Sequence, residues 1–148
     1  MTLFSTRPSW APVFVRLALG IILVAHGSQK LFGVWGGGGW EGTIQHFGQM
    51  DIPPSLTILA IITEFFGGIA LIVGFLTRVA AIGAIVLMIV AIFKVHLPNG
   101  FFINWACAGD GGHGMEYNIA LIALAIALVI WGAGSASVDH AIGGEKGG

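Results

Sequence analysis

Four long apolar runs dominate this chain and leave it few ways to fold in water. They cover roughly residues 11–32, 56–76, 79–97 and 117–132. A helix that crosses a bilayer needs about 20 mostly apolar residues, within a range of about 17–25. The first three runs meet that length, and the fourth meets it if its helix begins a turn earlier.

Charge points the same way. Only 9% of the 148 residues are charged and 56% are hydrophobic, where a soluble domain carries about a quarter charged residues. Six Lys plus Arg and seven Asp plus Glu are too few to solvate a globule of this size, but they suffice for a protein whose surface meets lipid. A net charge of -1 argues against a nucleic-acid partner, which requires a basic surface. The length suits one domain. The expected architecture is therefore an all-α membrane protein. It is an antiparallel four-transmembrane-helix bundle, a single domain over 1–148, with N and C termini on the same cytoplasmic side.

Local chemistry marks the boundaries. Ser9 can cap the first helix, and Pro12 is tolerable in its first turn. Pro53 and Pro54 precede the second helix, with Ser55 as its expected cap, and Pro98 ends the third. Gly132 and Gly134 loosen the end of the fourth. Trp10, Trp35, Trp40, Trp105 and Trp131 fall near the expected ends, as an interfacial aromatic belt would. The first run is long, carries internal charge and is followed by HGSQKLFG with no small-residue cleavage pattern, so it reads as a retained helix. The single Cys107 cannot form an intrachain disulfide and reads as a small apolar residue.

Thr77 and Arg78 are expected to make a two-residue turn between the second and third helices. The other connections are long, about 33–55 and 98–116. An even helix count brings Arg7, Arg78 and Lys146 to one face, cytoplasmic by the positive-inside rule. Glu41, Asp51 and Asp110 then fall in the outer loops. Gly36 to Gly39 and the GDGGHG of Gly109 to Gly114 lie outside any strand-to-helix context, so they read as turned loops that could fold over the bundle mouth. Gly67, Gly68, Ala80, Ala84, Ala123 and Ala127 read as helix-packing positions.

The residues that lipid would reject carry the functional signal. A charge near the bilayer centre costs at least about 2.5–3.5 kcal/mol, so such groups face inward and pair. His26 and Lys30 lie in the outer half of the first helix, Glu64 about two turns into the second, Lys94 and His96 near the outer end of the third, and Glu116 and Asn118 at the start of the fourth. All four helices thus deliver polar groups to one level. His26 and Lys30, four apart, share a face. Glu64 and Gly68 do too, which would leave room beneath the carboxylate. Lys94 and His96 are two apart, so His96 is expected inward and Lys94 snorkelling to the interface. Beside His26 or Lys30, Glu64 can ionise, and either protonation state suits proton handling or a hydrogen bond to a carbonyl ligand. A structural pair that fixes helix register is the plainer alternative. Arg16 and Arg78 read as topology anchors, with Asp139 a possible partner for Arg16. His113 reads as an exposed loop histidine, and His46 and His140 have no supporting context.

Haem between His26 and His96 fits poorly with Lys30 and Glu64 alongside. Zinc on His26, Glu64 and His96 has no support from spacing, so no metal is expected.

RLALGIILVAHGSQKLFG, EFFGGIALIVGFLTRVAA, HLPNGFF, EYN and GAGSASVD, in that order, resemble the DoxX family of small bacterial membrane proteins over about Arg16 to Asp139. The resemblance implies a four-helix membrane protein. Arg16, His26, Gly27, Lys30, Glu64, Gly67, Gly68, Arg78, Glu116 and Asn118 stand at the positions that match family features. It also implies a redox connection through DoxD, a subunit of thiosulfate:quinone oxidoreductase. No residues here look like a thiosulfate site, so that substrate is not carried over.

The expected function is a small subunit of a redox or electron-transfer complex in the bacterial inner membrane. It would be a component of a quinone-linked oxidoreductase rather than a complete enzyme. Its partners would be the bilayer and other membrane subunits, and a quinone-like molecule would occupy an outer-half pocket. A structural or assembly subunit is the alternative, and a small-solute transporter the second.

Overall fold

The structure, a computed structural model, describes residues 3–106, 109 and 111–144. Cys107, Asp110 and Lys146 lie outside the described residues. Each apolar run forms a helix, and no strand occurs among the described residues. Helix α1 covers Ala11–Phe32, α2 Gly39–Gly48, α3 Pro54–Val73, α4 Thr77–Ala91, α5 Glu116–Trp131 and α6 Val138–Gly144. A π-helical segment, Ile92–His96, and a 3-10 turn, Leu97–Asn99, extend α4.

Three of these helices are long and apolar enough to cross a membrane: Ala11–Phe32, Pro54–Val73 and Thr77–Asn99. The apolar α5 is shorter, with 16 residues, or about 24 Å at 1.5 Å per residue. All four turn large apolar side chains outward, including Phe14, Ile21, Phe66, Ile82, Val86 and Ile130. That much exposed hydrocarbon matches lipid rather than water.

Several boundaries differ from the sequence expectation. Helix α3 starts at Pro54, not after Ser55, because a proline in the first turn loses no intrahelical bond and arrives with a helical φ. Ser55 therefore sits inside the helix and caps nothing. Helix α3 ends at Gly74, in the left-handed region at φ 70°. The turn to α4 is Gly74–Leu76, while Thr77 and Arg78 already belong to α4. A side chain at Gly74 would also collide with Ser137 Cβ, 2.4 Å from an added Cβ. The first long connection holds α2, which hydrophobic periodicity did not single out.

Helices α1, α3, α4 and α5 form a ring of antiparallel neighbours. Along α1 and α3 the contacts run in opposite directions: Arg16 meets Leu71 and Ile72, and Lys30 meets Glu64. Likewise Arg78 of α4 meets Val129 of α5, and Met88 meets Asn118. Leu19, Leu23, Leu71, Ala81, Ala84, Met88, Leu121, Ala125 and Leu128 fill the centre. Ala123 faces outward, and Ala125 takes the packing position assigned to it. Helices α1 and α3 approach most closely at glycines. An added Cβ on Gly68 would lie 2.8 Å from Val24 N, and one on Gly20 2.8 Å from Gly68 O. The room expected beneath Glu64 is thus filled by α1 backbone. Gly67, one residue round the helix, has nothing within 4 Å and makes no packing contact.

The end of the bundle with the α3–α4 turn also holds the N-terminal segment and α6, which meet where Gly143 abuts Phe4. Arg16 is 3% exposed there. It turns inward, and it interacts with Asp139 only through the nearby charge, with no direct ion pair between them. Its guanidinium donates to the carbonyls of Leu71, Ile72, Ala133 and Ala136. Asp139 instead accepts from the N–H groups of Leu76 and Thr77, at 2.8 and 2.9 Å. Arg78, also buried, donates to the carbonyls of Val129 and Ser5. A buried guanidinium needs acceptors for its five donors; carbonyls near helix ends and in the flanking segments supply most of them, while Arg78 Nε is left without one among the described residues. Both arginines, read as topology anchors, are therefore directed into the bundle at the end that holds the α3–α4 turn.

Candidate functional site

At the opposite end the helices separate around a cavity of about 1240 Å³. Ordinary ligand pockets hold about 300–1,000 Å³. Its walls are mostly apolar: Ile22 and Leu23 of α1, Leu56, Leu59 and Ala60 of α3, Val86, Leu87, Met88 and Val90 of α4, and Leu121 of α5. Helix α2 and the 98–116 connection contribute His46, Phe47, Trp105 and His113 near its mouth. Helix α2 is held over the bundle by Thr43, whose hydroxyl donates to the Lys30 carbonyl at 3.2 Å.

Polar groups enter this apolar wall at a few points. Lys30 Nζ lies 2.6 Å from Glu64 Oε2, with the side chains 22% and 6% exposed. A charge-assisted bond of that length in a dry wall holds α1 and α3 in register. It uses one of the three ammonium donors, so Lys30 can still donate toward the cavity. His26, one turn before Lys30, lines the cavity and makes no hydrogen bond with the described residues. Asn118 is buried in the far wall, and its amide reaches only the weak acceptor Met88 Sδ, at 3.4 Å. One ion pair, an unengaged imidazole and a weakly engaged amide thus border one apolar space.

The remaining sequence candidates divide. His96 lines the cavity while its Nδ1 meets the His113 carbonyl at 2.8 Å. Lys94 lines the cavity too, against the expectation that the two residues point apart. The cavity wraps around the π-helical end of α4, and Lys94 Nζ reaches the Met50 carbonyl at 3.4 Å. Glu116 does not line it. Its carboxylate accepts from Ile103 N at 2.7 Å and ties the loop to the start of α5. His113 is exposed, yet its ring accepts from Asn104 N at 3.2 Å. His140 is remote, in α6.

Sequence reasoning passed over His46 and Tyr117, both at the cavity. Nothing local marks His46, which arrives only because α2 folds over the bundle. No group of three His, Cys, Asp or Glu that could hold a metal occurs among the described residues, so His26, Glu64 and His96 do not assemble a zinc site.

Fold and site together define a helical membrane protein with an apolar cavity edged by a lysine–glutamate pair. The chain belongs to the DoxX family, whose profile matches residues 11–97. It is 28% identical over 127 residues to the protein named "Putative oxidoreductase CatD" of Bacillus subtilis (strain 168), covering 86% of this chain and 83% of that one. It is also 28% identical over 127 residues to the inner membrane protein YqjF of Escherichia coli (strain K12), covering 84% and 86%. No solved structure gives a significant match.

Proposed function

We propose that this protein is a small integral membrane subunit of a redox complex and binds a quinone-like apolar molecule in the cavity between α1, α3, α4 and α5. The observation that carries this reading is the cavity itself. It has hydrocarbon walls of the right scale, with Lys30, His26 and Asn118 placed as donors toward a ligand carbonyl. Glu64 orients Lys30 through the 2.6 Å contact and can exchange a proton with a reduced ligand. The oxidoreductase name of the Bacillus relative supports the redox half of the proposal by analogy alone.

The same reading has all four apolar helices crossing the bacterial inner membrane. The cavity then lies in the outer half, and both tails are cytoplasmic. An antiparallel ring with both tails at the α3–α4 turn supports that topology. Reporter fusions at the two ends test it, and opposite-side signals would refute it.

For the ligand, lipid extraction of the purified native protein should yield quinone in fixed proportion. Glu64→Gln and His26→Ala should each lower that proportion. If both variants keep wild-type quinone content and partner activity, the reading is wrong.

A purely structural role is the second reading, favoured by the way the Lys30–Glu64 pair joins α1 to α3. It predicts fixed-stoichiometry partners that survive Glu64→Gln with no bound quinone. Transport ranks below both, because the fully buried Leu19, Leu71 and Leu128 fill the other end of the bundle.

A further inference from the structure

The cavity has a side opening, and its position says what kind of molecule can use it. Helices α3 and α4 touch low down, where an added Cβ on Gly83 would lie 3.0 Å from Thr63 Cγ2. They are linked again at the top, where Lys94 reaches the Met50 carbonyl just before α3 begins. From Gly83 to Lys94 is 11 residues, about 16 Å along a helix. Between these two contacts Leu56 and Leu59 on α3 face Val86 and Val90 on α4. All four line the cavity, and about half of each remains accessible, at 54%, 57%, 55% and 46%. Half-accessible apolar side chains on both helices, between two points where the helices are held together, outline a gap in the cavity wall between α3 and α4. The four side chains that flank this window are hydrocarbon, whereas the mouth carries His46, Trp105 and His113.

From this geometry we infer that the ligand carries a hydrocarbon chain, enters laterally from the bilayer through the α3–α4 window, and leaves its chain lying in that window while its polar head reaches Lys30. This rests on the reading of the cavity as a ligand site, and it adds the ligand's amphiphilic class and its route. A water-soluble ring without a chain would leave the window empty. A second copy of the protein would plug it with a helix but place no polar head beside Lys30.

The test uses the full chain in phosphatidylcholine nanodiscs with a photoreactive benzoquinone whose decyl chain ends in a diazirine. Labelling should fall in peptides containing Leu56 to Thr63 or Gly83 to Val90. Excess unlabelled decyl-benzoquinone should compete it away. The same ring without the chain, at equal concentration in the bilayer, should compete about tenfold less well. Val86→Trp and, independently, Leu59→Trp on the opposite rim should each cut competable labelling by a similar factor. Val73→Trp, on the lipid face near the α3–α4 turn, should not.

Equal competition by the chainless ring overturns the chain requirement and leaves the cavity reading standing. Undiminished labelling in a folded Val86→Trp or Leu59→Trp protein overturns the window. Labelling that no quinone competes, and that Glu64→Gln leaves unchanged, removes the cavity reading and this inference together.

Discussion

Arg16 and Asp139 serve opposite ends of one three-residue turn. Arg16 brings positive charge to the last carbonyls of α3, at Leu71 and Ile72, and Asp139 brings negative charge to the first N–H groups of α4, at Leu76 and Thr77. Each sign suits the helix end it meets. Leu76 is left-handed, with φ 48°, which costs a non-glycine residue about 1–2 kcal/mol. Its N–H is one of the two that Asp139 holds, so the carboxylate stabilises the conformation that the short turn requires.

Replacing that carboxylate should therefore be felt. In Asp139→Asn, an amide NH₂ faces one of the two N–H donors. We expect a loss of about 1–3 kcal/mol, read as a lower unfolding midpoint in detergent. An unchanged midpoint would show that the turn holds without the residue.

Arg16→Lys keeps the charge but loses the planar fork. An ammonium has three donors for four carbonyls that lie on α3 and on the segment between α5 and α6. The prediction is a protein that still assembles but whose segment 133–144 is cleaved faster by protease. Wild-type resistance in Arg16→Lys would contradict it.

At the other end, Lys30→Met or Glu64→Leu alone should cost about 3–5 kcal/mol, the usual penalty for stranding one member of a buried pair. Lys30, still 22% exposed, should put both variants toward the low end of that range. The double variant should recover most of the stability and retain no quinone. A double variant that still co-purifies with quinone at wild-type levels would separate the pair from the ligand.

Two adjacent glycines offer an internal control. Gly68→Ala drives a methyl into α1 backbone and should destabilise by about 1–3 kcal/mol. Gly67→Ala meets nothing within 4 Å and should be neutral or slightly stabilising by helix propensity. Equal effects at the two positions would mean that α1 and α3 do not approach as described.

What the sequence revealed, and what it hid, follows from the range of the interactions. The apolar runs and the family motifs made the helical membrane class legible, because burial in lipid is written into every residue of a run. Positions set by contacts far apart in sequence were not legible. Spacing along one helix could suggest that Lys30 and Glu64 share a level, but only the α1–α3 packing brings them to 2.6 Å. Glu116 shows the converse. Its sequence position matched the cluster, yet a backbone N–H thirteen residues upstream claims its carboxylate. Ser55 and Thr77 misled for a local reason: Pro54 can open a helix itself, and a glycine had to occupy the left-handed position at Gly74. His46 could not be found at all, since the glycine-rich stretch that holds α2 gave no sign that it folds over the bundle.

The bonds of Arg16 also impose an order on synthesis. Arg16 is made 117 and 120 residues before two of its four acceptors, Ala133 and Ala136. Until those carbonyls leave the ribosome, the nascent protein carries an incompletely neutralised guanidinium between its helices. A chain that stops after α5 is left in that condition permanently.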